Sequence, residues 1–251
     1  MPRATPLVLL HAFPLDAGLW SGVVPELSAD RSVLTPDFPG LGAAAPRPGV
    51  SVDGFADEVA ALIAGLPGGR AVVGGLSLGG YVALALAARH PDRVAALILS
   101  NTRAEPDTQE AAAGRHAGAA QVRSGGYAAF LDDFVPRMVA PGDAAARRAT
   151  RAMAESQDPE GVAGALEALA GRGDRRPDLA AMAMPALVIV GSEDALTPLP
   201  FSEAMVAGMP DARLHVVEGS GHLTALERPE EWVAVVRPFL AAVDAARAEG
   251  A

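Results

Sequence analysis

Apolar and polar positions along this 251-residue chain follow two alternating rhythms. Short apolar runs recur at Leu7-Val8-Leu9-Leu10, at 32–35 just before Pro36, and at Arg70-Ala71-Val72-Val73-Gly74. Further runs are Val94-Ala95-Ala96-Leu97-Ile98-Leu99, Ala186-Leu187-Val188-Ile189-Val190 and Arg213-Leu214-His215-Val216-Val217. Their length and β-branched content predict strands. Between them the apolar residues fall at helical steps. Trp20, Val23, Val24 and Leu27 predict a helix over 19–27. Phe55, Val59, Leu62 and Ile63 predict another, which Ser51 or Asp53 can cap. A small-residue helix over 80–90 stops before Pro91, and a last helix spans about 229–246, with a frayed Arg-Ala-Glu-Gly tail. Such alternation means a parallel sheet with helices on both faces.

From about 104 to 183 the rhythm changes. Strands vanish, and Ala-rich, charge-mixed segments read as several short helices. The chain thus divides into a core of residues 1–103 and 184–251 and an inserted helical cap, 104–183. Within the cap, Tyr127, Phe130, Phe134 and Met138 recur at three- and four-residue steps, so one helix face carries them. That face packs the cap on the core, lines an apolar pocket, or does both.

The candidate chemistry begins at Gly75-Leu76-Ser77-Leu78-Gly79, between a strand and a helix. A sharp turn there exposes one hydroxyl, and the flanking glycines keep other side chains away. The helix N-terminus behind it offers unpaired N–H groups and a positive dipole end, which suit a developing oxyanion. This is the arrangement of a nucleophile elbow. A chain with 27 glycines can hold G-x-S-x-G by chance in a surface loop, but the strand before and the helix after argue against chance. Two later loops also follow strands, where the active-site loops of open α/β sheets gather. They read Gly191-Ser192-Glu193-Asp194-Ala195-Leu196-Thr197-Pro198 and Glu218-Gly219-Ser220-Gly221-His222. Serine needs a base within reach, and histidine can take and return its proton. An acid can hold the imidazole in the useful tautomer. Asp194 and Glu193 both compete for that role, and an aspartate there can also simply form the turn.

These loops, together with Leu10-His11-Ala12-Phe13-Pro14 and Asp37-Phe38-Pro39-Gly40-Leu41-Gly42, make the chain resemble the α/β-hydrolases. Within them it resembles the esterase, enol-lactonase and perhydrolase group, over essentially its whole length. The resemblance implies the α/β-hydrolase fold and a Ser77, Asp194 and His222 triad, with family spacing favouring Asp194 over Glu193. Some relatives carry the acid after the strand that follows the elbow; here that place holds Ser100 and Asn101. It also implies an oxyanion hole of the Leu78 and Phe13 N–H groups, with His11-Ala12 where His-Gly is usual. His11 is then structural, beneath the site. Phe38 is expected near the entrance, and Phe130, Phe134, Met138, Leu196 and Leu223 as pocket walls. Relatives usually carry an antiparallel hairpin before the first strand, but only six residues precede Leu7. A sheet of about six strands follows, mostly or wholly parallel. Its short edge at 32–35 is blunted by Pro36 or covered by a partner subunit.

Composition narrows the partners. Half the residues are hydrophobic, yet no apolar stretch is long enough to span a bilayer. The start has no signal-peptide pattern and cysteine is absent, which fits the cytoplasm. All 20 basic residues are arginine and the net charge is −10, which argues against nucleic acid. No metal-ligand spacing, G-x-G-x-x-G or Walker lysine appears, so no metal or cofactor is implied. His90, His116 and His215 are expected to be structural. Serine at the elbow argues against haloalkane dehalogenases and epoxide hydrolases, which use aspartate. The expectation is a carboxylesterase for small to medium, fairly apolar esters, as monomer or homodimer. Lactone, enol-lactone, C–C hydrolase, perhydrolase and acyltransferase activities stay open, and a hydrolase-like ligand receptor is the non-enzymatic alternative.

Overall fold

The six apolar runs form six strands: β1 (Leu7–Leu10), β2 (Val33–Leu34), β3 (Ala71–Leu76), β4 (Val94–Ser100), β5 (Ala186–Gly191) and β6 (Ala212–Val217). The computed structural model describes residues 4–249, and among these no strand precedes Leu7. The strands build one sheet in the order β2-β1-β3-β4-β5-β6, every pairing parallel. The edge strand β2 is only two residues long, which leaves little unpaired backbone to offer a second chain.

Side chains alternate across each strand, and the two faces gather two cores. Val8, Leu10, Val73, Leu97 and Leu99 point to one core, shared with α2 (Val52–Ala64), α3 (Leu78–Arg89) and α8 (Leu199–Gly208). Leu7, Leu9, Val72, Ala96 and Ile98 point to the other, which α1 (Val24–Leu27) and α10 (Pro229–Glu249) close. Trp20 and Trp232 meet there, ring centroids 5.5 Å apart and both fully buried. The Trp232 Nε1–H donates to Ser100 Oγ at 3.1 Å, so the polar edge of that ring is satisfied.

The connection leaving β1 runs to one side of the sheet and that leaving β3 to the other. The chain order therefore reverses between these two neighbours. Crevices at such a reversal are where open α/β sheets bind ligands. Phe13 follows β1 and Ser77 follows β3.

Between β4 and β5 come α4 (Gln109–Gln121), a π-helical segment (Val122–Gly126), α5 (Tyr127–Phe134), α6 (Ala144–Glu155) and α7 (Pro159–Ala170). This helical insertion is tied to the rest of the chain by buried polar groups. Asp107 accepts from Arg103 at 2.9 Å and Arg172 at 2.8 Å, and also pairs with Arg115. The Arg172 guanidinium lies 4.3 Å over the Tyr81 ring. Gln157 accepts from Gly42 N–H at 2.6 Å and donates to Asp16 at 2.8 Å.

Three expectations change. The helix over 19–27 is instead a 3-10 turn (Ala17–Trp20) followed by α1, because Pro25 cannot extend a helix backward through residue 21. The Tyr127 helix ends at Phe134, since Pro136 opens a 3-10 turn (Val135–Arg137); Met138 lies beyond it, fully buried. The tail does not fray at Arg247, because α10 continues through Glu249.

Candidate active site

Ser77 stands between β3 and α3 with φ 54° and ψ −110°, a conformation a non-glycine residue rarely adopts. Four backbone contacts hold it there. Its N–H donates to the Ser100 carbonyl at 3.0 Å, and its carbonyl accepts from Tyr81 N–H at 3.0 Å and Thr102 Oγ1 at 3.0 Å. The Gly79 N–H donates to the His11 carbonyl at 3.1 Å, which binds the β1 loop to the elbow. The elbow glycines are obligatory for space. A Cβ on Gly75 would overlap the Gly79 carbonyl, and one on Gly79 would overlap that of Leu10. The Ser77 side chain makes no capping bond to α3 and is partly exposed, which leaves its hydroxyl available.

The first N–H groups of a helix have no partner within it. With Gly79 N–H given to His11, Leu78 N–H is the donor left beside the serine. The residue expected to supply the second donor, Phe13, lies two positions after the His11 carbonyl that anchors this loop. His11 itself is fully buried. Its Nδ1 bonds the Ala12 carbonyl at 3.0 Å, and its Nε2 accepts from Phe38 N–H at 3.1 Å. Burial pushes its imidazole below the ordinary value, against the Ala12 carbonyl and the charges of Asp37 and Asp16. A neutral ring suits that pair of bonds.

Asp194 and His222 meet in the loops after β5 and β6, both buried. The His222 Nδ1 lies 2.9 Å and 3.0 Å from the two Asp194 oxygens. The carboxylate also accepts from Leu196 N–H and Thr197 N–H at 2.9 Å, Thr197 Oγ1 at 2.7 Å and Asn101 Nδ2 at 2.9 Å. Burial alone would push the Asp194 carboxyl up. The charge and hydrogen bond of His222, with the Thr197 N–H and Asn101 bonds, outweigh it and hold the carboxyl well below the usual range. Glu193, the competing acid, is exposed. An acceptor-only carboxylate places the proton on Nδ1 and leaves Nε2 able to accept one.

The structure links His222 to Ser77 through the end of β4. Ser100 holds the Ser77 backbone. Asn101, next along and with φ 47°, donates from Nδ2 to both Asp194 and the Gly221 carbonyl, the latter at 3.1 Å. Its Oδ1 accepts from Thr224 at 2.7 Å. Asn101 thus ties the Asp194 carboxylate to the end of β4. Neither Asn101 nor Thr197 is marked by motif. The only sign available was the position of Asn101 at a strand end beside the elbow strand.

The candidate pocket residues divide. Phe130 and Phe134 are half-buried, stacked with centroids 5.5 Å apart, and both meet Phe13 edge-on, at 6.3 Å and 5.6 Å. Leu196 is half-buried beside Asp194. Met138 and Leu223 are fully buried in the core beneath. Phe38 does not shape an entrance: it is 3% exposed and stacks on Phe55, centroids 4.9 Å apart. The other histidines lie away from this site, His90 on Asp57 at 2.7 Å and His215 on Glu231 at 3.2 Å.

Residues 5–229 match the family model described as alpha/beta hydrolase fold. The chain is 36% identical to a pimeloyl-[acyl-carrier protein] methyl ester esterase of Aromatoleum aromaticum, over 92% of this chain and 96% of that one. It is 33% identical to the protein of the same name from Neisseria meningitidis, over 97% and 96%. Among solved structures, a thermophilic esterase from Thermogutta terrifontis superposes with a TM-score of 0.92 at 36% identity, covering 96% of this chain and 91% of that one. The enol-lactonase from Burkholderia xenovorans superposes at 0.86 with 29% identity, covering 95% and 92%.

Proposed function

Because the chain belongs to the α/β-hydrolase fold family, we propose that it cleaves carboxylic esters through an acyl-enzyme, with Ser77 as nucleophile, His222 as base and Asp194 as the acid that orients it. The observation that carries this reading is the buried Asp194–His222 pair, linked through Asn101 and Ser100 at the end of β4 to a serine held at positive φ with no side-chain bond to its helix. In acylation, His222 Nε2 takes the Ser77 proton as Oγ attacks the ester carbon. The Leu78 and Phe13 N–H groups meet the oxyanion, and His222 returns the proton to the departing alcohol. Water, deprotonated by the same imidazole, then attacks the acyl carbon; the C–Oγ bond breaks, the imidazolium returns the proton to Ser77 Oγ, and the carboxylic acid leaves.

The helical insertion acts as a cap over this site, with Phe130, Phe134 and Leu196 forming an apolar wall for the acyl group. A small to medium, fairly apolar ester fits those surfaces. A second reading takes a methyl ester on a carrier-bound acyl chain, and the names of relatives spanning nearly the whole chain favour it.

The test is labelling and turnover, read on separate aliquots of one preparation. A fluorophosphonate probe should modify Ser77 stoichiometrically, and p-nitrophenyl butyrate should be hydrolysed well past one equivalent. Stoichiometric release without turnover would make the protein a receptor instead. A panel of graded p-nitrophenyl esters, an enol lactone and a carrier-bound acyl methyl ester then ranks the substrates.

A further inference from the structure

The loop that carries His222 lies between β6 and α9 (Thr224–Glu227) and has no regular structure of its own. The N–H groups of the histidine and of its two neighbours are nevertheless all paired. Glu227, only 7% exposed, accepts from Gly221 N–H at 2.9 Å through Oε2 and from Leu223 N–H at 3.0 Å through Oε1. The same Oε2 accepts from Ala140 N–H, in the helical insertion, at 2.8 Å. The His222 N–H turns the other way and donates to the Met138 carbonyl at 3.1 Å. A Cβ on Gly221 would overlap the Val139 and Ala140 backbone, so loop and insertion touch directly.

A buried carboxylate is costly unless its oxygens are satisfied, and buried N–H groups are costly unless they are paired. Here three N–H groups and one carboxylate answer each other. Asp194 fixes the imidazole at Nδ1, but it cannot fix where the histidine backbone sits.

We infer that Glu227 is a positioning residue, which sets the His222 backbone and joins residues 138–140 of the insertion to the catalytic loop. The inference rests on His222 being the base, as proposed above. Placement of a catalytic group is worth about a hundredfold in rate per ångström of error. Glu227→Gln keeps the volume but puts an NH2 group against a backbone N–H, which displaces the loop.

The experiment counts active sites by titrating one aliquot of wild type, E227Q and E227D with the fluorophosphonate, and reads kcat on p-nitrophenyl butyrate from an unlabelled aliquot, expressed per titratable site. E227Q should lose about ten- to a hundredfold in kcat per site, with KM changed by less than about threefold. E227D, which keeps both acceptor oxygens, should recover part of that loss. Amide hydrogen exchange at Ala140, Gly221 and Leu223 should quicken together in E227Q. If E227Q does not fold, E227D against wild type carries the same reading.

Unchanged kcat per site in the folded variants, with losses confined to stability or to the labelled fraction, would overturn the positioning role. Unaltered exchange at Ala140 would overturn the link to the insertion. A wild-type protein that does not label at Ser77 would instead overturn the proposed function.

Discussion

Asp194 and His222 are held by side-chain hydrogen bonds, whereas Ser77 is held by its backbone alone. Around the acid–base pair, polar side chains from three segments converge: Asn101, Thr197, and Thr224 with Glu227 on α9. Around the nucleophile the bonds all fall on main-chain groups, one of them from the Thr102 hydroxyl, among glycines too crowded to carry a Cβ and at a positive φ. The difference fits the chemistry proposed for each half. A base must keep one tautomer and one direction, which demands fixed acceptors. A nucleophile must leave its hydroxyl uncommitted, so its geometry has to come from the turn.

That contrast can be broken most directly at the serine. Ser77→Ala removes only an uncommitted hydroxyl, so the melting temperature should stay within a few degrees while kcat falls by about 10⁴-fold or more. Ester hydrolysis assays beside thermal melts check both halves of that statement. A large loss of stability would mean that the hydroxyl supports the turn after all.

Asp194→Asn sharpens the other half. It should lower kcat by about 10⁴-fold by spoiling the tautomer. It should also alter the acid response, and the sign follows from linkage. The Asp194 carboxyl is held below its unfolded value, so its stabilising contribution is present above about pH 4 and is lost as pH falls toward the folded value. Melting temperatures measured from pH 5 down to pH 3 should therefore decline less steeply in D194N than in the wild type. An identical decline would detach Asp194 from acid stability.

Asn101→Ala is expected to cost less. It removes one donor to Asp194 and one to the Gly221 carbonyl, about 1–3 kcal/mol of stability for buried partners left unpaired. Urea unfolding measures that loss, and kcat should drop about tenfold with it. Phe134→Ala should be the mildest change. It trims a half-buried ring that stacks on Phe130, so KM for longer acyl esters should rise a few-fold while acetate esters are hydrolysed nearly as before. Equal effects on short and long esters would remove Phe134 from the acyl wall.

A second contrast, between core and insertion, shows where reading residues alone succeeds. The strands were legible because each apolar run is short and closed by turn residues, and the central ones, β1, β3, β4 and β5, are buried on both faces; β1 begins and ends where the apolar residues do. The elbow was legible because serine, two glycines and a strand-to-helix change coincide. The insertion was legible only as helices, and its aromatic stripe was carried one residue too far, to Met138 beyond Pro136. Glycine and proline at 22 and 25 likewise interrupted a helix whose apolar spacing looked continuous.

Local pattern determined this protein's strand set, its parallel sheet, its nucleophile turn and the loops that offer the acid and the histidine. Those features depend on neighbours in the chain, so they leave a periodic or motif signature. What orients the acid and fixes the histidine backbone was decided only by tertiary structure. Asn101 meets Asp194 across 93 positions, and Glu227 meets Ala140 across 87. A buried hydrogen bond needs one donor and one acceptor at the right distance, from any part of the chain. No spacing along the sequence announces it.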